Sequence, residues 1–112
     1  MRVKSKEKKP SERKQKKTIL NVRSQLRKLA PDEKCFFLCT GQVIKHYKEL
    51  ADELGNVDEG VFHYHVNSGK NDFANWVRDV FAEPELADAL QHAHSKDHVR
   101  VVIYKFIADK LW

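Results

Sequence analysis

The sequence predicts an α+β fold, mostly helical, in which an N-terminal β-hairpin packs against four to five short helices behind a disordered basic arm. Three observations carry this reading. Apolar residues recur at three- and four-residue intervals through most of the chain after residue 46. That spacing places them on one face of a 3.6-residue helix. One stretch, 35–45 (CFFLCTGQVIK), instead has apolar residues on both sides of a glycine. Finally, the charges are divided unevenly between the two ends.

The division is sharp. Residues 1–28 hold twelve Lys/Arg against two acids, a net charge of +10. Residues 29–112 hold nine Lys/Arg against fourteen Asp/Glu, a net charge of −5. The overall +5 of the 112-residue chain therefore hides a basic arm joined to an acidic body. Residues 1–17 have only Met1 and Val3 as apolar side chains. Such a segment buries too little surface to offset chain entropy, so it is expected to be disordered when free.

The compact domain is expected to span 18–112. In 18–30, Ile19, Val22, Leu26 and Leu29 form a helical stripe, ended by Pro31, because a residue before proline avoids the α region. This linking helix joins the arm to the body. In 35–45, Phe36 and Leu38 share one strand face and Cys35, Phe37 and Cys39 the other. Thr40-Gly41 supplies a tight turn and Val43-Ile44 begins the return strand. Two strands are marginal alone, so helices must cover the hairpin.

Tyr47, Leu50, Ala51 and Leu54 form the next helical stripe, stopped by Gly55-Asn56. Asp58 is placed to cap a short helix carrying Val61, Phe62, His65 and Val66. Residues 67–70 read as a loop. Asn71 or Asp72 then caps a helix with Phe73, Trp76, Val77, Val80 and Phe81. Glu83-Pro84 breaks it, and Pro84 suits the first turn of the following helix, which carries Leu86, Ala87, Leu90 and Ala93. Ser95 or Asp97 caps a C-terminal helix over 96–112 with Val99, Val102, Ile103, Phe106, Ile107 and Leu111. The segment 99–104 also has strand propensity; helix is favoured because the apolar spacing continues to Leu111.

The richest polar stretch is His63-Tyr64-His65-Val66-Asn67, followed by Asn71-Asp72-Phe73-Ala74-Asn75-Trp76. Two readings compete. His65, Asn71 and Asp72 converge on a ligand or partner, with histidine as acid or base. Alternatively they form a packing network, in which Asn71 or Asp72 caps a helix and a buried His65 bonds a carbonyl or the Asp72 carboxylate. The second reading is preferred. His63, His65, Asn67, Asn71, Asp72 and Trp76 are the candidate partner-binding or structural cluster.

Residues of this region resemble a small uncharacterised domain family of archaea and bacteria. Its pattern is an apolar strand, a glycine turn, a helix like KELADEL, an F-x-x-H-V-N stretch, N-D-F-A-x-W and a closing L-A-x-x-L. These elements map to Phe37–Gly41, Lys48–Leu54, Phe62–Asn67, Asn71–Trp76 and Leu86–Leu90, within about 35–94. The resemblance implies one compact domain and marks the His–Asn–Asp region as a family feature. It brings no assigned activity, and the basic arm and C-terminal helix lie outside it.

Other chemistries find less support. Cys35-x3-Cys39, His63-x-His65 and His92-x-His94 supply metal-ligating side chains, but His-x-His is not the usual zinc spacing. On a helix, residues i and i+2 diverge by about 200°. No metal or cofactor is therefore expected. A disulfide between Cys35 and Cys39 is disfavoured, since four strand residues span about 13 Å and the bond needs Cα atoms within about 7 Å. Both are expected to be reduced, buried thiols in an apolar strand, and for that reason neither is expected to act as a nucleophile with His63 or His65. The four glycines form no phosphate-cradling motif. No apolar run approaches the roughly 20 residues that cross a bilayer, and no apolar signal segment follows the N-terminal charges. A cytoplasmic location is expected.

The function expected from the sequence is that of a non-enzymatic accessory protein that binds RNA through the arm, within a ribonucleoprotein such as the ribosome. The contacts are assigned to Arg2, Lys4, Lys6, Lys8, Lys9, Arg13, Lys14, Lys16, Lys17, Arg23, Arg27 and Lys28. Lysines on a flexible chain position a polyanion rather than read its sequence. The alternative is a protein-interaction or regulatory module that uses the His63–Trp76 surface. Neither a membrane nor a small-molecule substrate is expected as partner.

Overall fold

The structure, a computed structural model, describes residues 24–111. The expected disordered arm at 1–17 and the first part of the linking helix lie outside the described residues. The described chain is α+β and mostly helical. Residues 24–27 are helical. The helix does not continue to Pro31 as the stripe suggests. Ala30 donates its backbone N–H to the Lys45 carbonyl (2.8 Å), which draws 28–30 alongside the first hairpin. Leu29 consequently points to solvent, whereas Leu26 packs on the core. A single 3-10 turn, Asp32–Lys34, follows Pro31.

Strands β1 (Phe36–Phe37) and β2 (Val43–Ile44) pair antiparallel, with Phe36 opposite Ile44 and Phe37 opposite Val43. Phe36 and Leu38 face the core together, as the alternation requires, and Phe37 faces out. The connection is longer than the expected Thr40-Gly41 turn. It runs over 38–42, closed by Leu38 N–H to Gln42 O (2.9 Å) and Gly41 N–H to Leu38 O (2.8 Å). Gly41 has φ of +99°, a region that glycine enters without a Cβ clash. Both cysteines are free; Cys35 is buried, but Cys39 is exposed, contrary to expectation, because it lies in this loop.

Helix α1 (Tyr47–Leu54) buries its predicted stripe of Tyr47, Leu50, Ala51 and Leu54. Its cap is His46, whose Nδ1 accepts from Lys48 N–H (2.9 Å). Gly55 ends the helix in right-handed geometry, so the stop is not a left-handed glycine cap. Helix α2 (Glu59–His65) begins on Asp58, whose carboxylate accepts from Val61 N–H (3.1 Å).

The loop expected at 67–70 is instead a second hairpin. Strands β3 (Val66–Asn67) and β4 (Lys70–Asn71) pair antiparallel around Ser68-Gly69. Val66 thus leaves the helical stripe for extended backbone. The Asn67 carboxamide oxygen accepts from Gly69 N–H (2.9 Å), a local bond that favours turning over continuing a helix.

Helix α3 (Asp72–Phe81) is capped by Asn71 and ends at Ala82, which has φ of +54°. Helix α4 (Pro84–Gln91) starts with Pro84 in its first turn. Helix α5 (Lys96–Leu111) spans 99–104 without a strand, and the Ser95 hydroxyl accepts from His98 N–H (3.1 Å). Its apolar stripe weakens toward the end: Val99 and Ile103 are buried, Phe106 and Ile107 half-buried, and Leu111 exposed.

Helix α3 packs on α4, α4 on α5, and α5 on α1. One hydrophobic cluster runs through all of them and the first hairpin. Phe36 lies 5.1 Å from Phe73 and 5.5 Å from Trp76 between ring centres. Full burial of each such side chain contributes about 1.5–3 kcal/mol. Polar ties bind α5 across α1: Arg100 Nε donates to Ala51 O (3.0 Å), and the Tyr104 hydroxyl donates to Asp52. Among the described residues, no helix is long and apolar enough to cross a membrane.

Candidate functional site

The polar cluster forms where α2 gives way to the second hairpin and α3 begins. His65, the last residue of α2, is only 4% exposed. Its Nε2 accepts the backbone N–H of Cys39 (3.1 Å). An N–H donor requires a lone pair on Nε2, so the ring proton resides on Nδ1. Nδ1–H then donates to Asp72 Oδ2 (3.0 Å). One imidazole therefore fastens the first hairpin loop to the start of α3. The ring also lies edge-on to Phe36 at 5.0 Å.

The neighbouring side chains are similarly committed. The Asn71 carboxamide oxygen accepts from Ala74 N–H (3.0 Å), and its Nδ2 donates to Leu90 O (2.9 Å). This buried amide caps α3 and ties it to α4. Trp76 Nε1 donates to Lys34 O (2.8 Å), tying α3 to the segment before β1. Asp72 Oδ2 also receives Lys70 Nζ (3.1 Å). Asn67 is exposed and spent on its own turn, with Nδ2 donating to His63 O (3.3 Å). His63 is exposed, 3.7 Å from Glu59.

The structure thus brings His65, Asn71 and Asp72 together, with Trp76 alongside through Phe36, but as bonded packing groups. His63 and Asn67 stand apart from them at the surface. Among the described residues, no three His, Cys, Asp or Glu side chains are arranged to hold a metal ion. Of the assigned cations, Arg27 and Lys28 are exposed, and the other ten fall outside the described residues.

Beside the network lies an open groove of about 730 Å³. His63, the turn of the second hairpin, Asn75, Gln91 and His94 line it. No carboxylate is among its lining residues. Asn75, Gln91 and His94 were not part of the candidate cluster. They come from α3, the end of α4 and the α4–α5 connection, and only the packing of α3 on α4 assembles them. A second, shallower groove is lined by Leu26, Leu29, Arg27, Lys45, His46 and Lys48, with Glu49 and Asp52.

No family model, curated protein or solved structure matches the chain.

Two buried groups shape the electrostatics away from the cluster. Burial holds the His46 imidazole below its ordinary pKa, against the opposing pull of the Leu26 carbonyl and Glu49. Among the described residues, the His46 Nε2 has no hydrogen-bond partner. Burial, with the Glu83 carboxylate, pushes the Tyr47 phenol upward, and among the described residues its hydroxyl likewise has no hydrogen-bond partner.

Proposed function

We propose that the protein is a non-enzymatic, cytoplasmic accessory protein that binds RNA through its cationic N-terminal segment, as a component of a ribonucleoprotein such as the ribosome. The observation that carries this is the division of charge: +10 over residues 1–28 against −5 over the remainder. A cationic run of this density attracts a polyanion and raises its local concentration. Taken as a whole the acidic body is repelled by the same phosphates, so the segment bears the main contact and most of the body stands off or faces protein. The commitment of His65, Asn71, Asp72 and Trp76 to packing leaves few groups of that cluster for chemistry, which supports a binding role over a catalytic one.

If six to eight cations meet phosphates, log affinity falls against log salt with a slope of about −4 to −7. The test is a full-length variant in which Lys8, Lys9, Arg13, Lys14, Lys16 and Lys17 are glutamine. The expected result is weaker RNA binding and a slope shallower by about 4 to 5. Unchanged affinity and slope sink the proposal.

A further inference from the structure

The groove beside the second hairpin has a chemistry opposite to that of the body around it. The body carries five more acids than bases, yet no Asp or Glu lines this groove. Lys70 and the imidazoles of His63 and His94 contribute to its wall. Asn75 presents a donor, because its carboxamide oxygen already accepts from Arg78 (2.6 Å) and its NH2 remains. Gln91 adds a second amide. Asp72 bonds His65 and Lys70, and Glu59 lies 3.7 Å from His63, so a phosphate in the groove shares Lys70 with Asp72 and His63 with Glu59.

Such a wall suits a ligand rich in acceptors. The space, about 730 Å³, exceeds what a bare oxyanion fills and falls in the range of small-molecule sites. The paired functions of amide and cation match a nucleotide, whose phosphate takes charged donors and whose base edge takes carboxamides. Tyr64 is 59% exposed next to Lys70, whose ammonium lies 5.0 Å from the ring centre. Its ring offers a stacking surface at the border of the site.

We propose that this groove binds a nucleotide, its phosphate against Lys70 and the two histidines and its base against Asn75 and Gln91. The choice of ligand rests on the RNA-binding reading above; the site itself is separate from the basic segment. The nucleotide is either free or one unit of a single strand, and the same groups recognise both.

The test is an NMR titration of the full chain, following backbone amides and the side-chain NH2 groups of Asn75 and Gln91. The additions are uridine 5′-monophosphate, a ten-residue oligouridylate and inorganic phosphate. Movement of the Lys70, Asn75 and Gln91 signals with the mononucleotide supports the site and a free nucleotide as sufficient. Movement with the oligomer alone supports it with a strand as the source. A Lys70→Gln/Gln91→Ala variant, both positions exposed, is expected to weaken that binding roughly tenfold with an unchanged melting temperature. If inorganic phosphate moves the same signals as strongly, the contact is an adventitious ion only and the nucleotide assignment falls. If the oligomer moves signals of the basic segment but not of the groove, the groove proposal fails while the RNA reading stands. If groove signals move and those of the basic segment do not, the groove proposal stands and the segment reading fails.

Discussion

His65 Nδ1 donates to Asp72 Oδ2 across 3.0 Å, and this bond joins the end of one helix to the start of the next over a two-residue hairpin turn. With Nε2 accepting from Cys39 N–H, both nitrogens of a nearly buried ring are satisfied. Net contributions near 1 kcal/mol are usual for each such bond, and more is lost when one partner is left buried and unpaired. His65→Ala also empties space between Phe36 and Phe73, whose rings lie 5.0 and 5.4 Å from the imidazole. The expected loss in urea unfolding is about 3 kcal/mol. Asp72→Asn keeps an oxygen acceptor and is expected to lose under about 1 kcal/mol. A His65→Ala/Asp72→Ala double-mutant cycle should give a coupling of about 1 kcal/mol. A fully stable His65→Ala protein contradicts an architectural role.

Asn71 and Asp58 cap neighbouring helices by the same bond, to Ala74 N–H and Val61 N–H respectively. Their surroundings differ. Asp58 is exposed, so water replaces it in part, and Asp58→Ala should cost about 1 kcal/mol. Asn71 is 8% exposed and also donates to Leu90 O. Asn71→Ala removes the cap and the tie to Leu90 O, which keeps its bond from Ala93 N–H (3.1 Å), for an expected loss of about 2 kcal/mol. Asn71→Asp preserves the cap but sets a carboxylate against that carbonyl, and should fall well below wild type too. Thermal melts of the three variants rank these effects; equal losses at positions 58 and 71 refute the dual role.

The elements that sequence periodicity located are those whose burial it describes. Tyr47, Leu50 and Leu54, or Phe73, Val77 and Phe81, each define one helix face, and the core takes that face. The bond between His65 and Asp72 is among the packing alternatives because His65 falls on the apolar stripe of its helix, where a buried imidazole needs a partner, and Asp72 stands at the start of the next. Val66 departs from the expected stripe for a local reason. Its spacing from Phe62 continues the stripe, but the Asn67 carboxamide turns the chain and the residue pairs with Asn71 instead. Leu29 departs from its stripe for a distant one, since the bond from Ala30 to Lys45 O depends on a residue fifteen positions later, just past β2. Ala82 adopts a left-handed conformation that its residue type does not advertise. The groove residues Asn75, Gln91 and His94 share no sequence pattern, because they meet only through the contact of α3 with α4 and its following turn.

His46 gives the stability a pH dependence whose sign is fixed by burial. Its folded pKa lies below the ordinary 6.5. Above pH 6.5 both folded and unfolded chains hold a neutral ring, and nothing is gained or lost. As pH falls below 6.5, the unfolded chain takes a proton that the folded chain refuses, so stability declines until the folded pKa is reached. Glu83 acts in the opposite sense. Burial raises its carboxyl above 4.5, as does Glu85, against the pull of Lys110; the folded chain therefore gains stability as pH falls through that raised value toward 4.5. Asp52, held low by the Tyr104 hydroxyl and Lys48, retains its contribution until pH falls below 3.8. Between pH 7 and 5, His46 is isolated by substitution. His46→Asn keeps an oxygen to cap Lys48 N–H and removes the titration. The variant loses ring packing on Tyr47 and Phe81, so it is less stable throughout. Its unfolding free energy, measured in urea at intervals from pH 7 to 5, should nevertheless decline less steeply than that of the wild type. Parallel curves would show that the buried imidazole is not a source of the acid sensitivity.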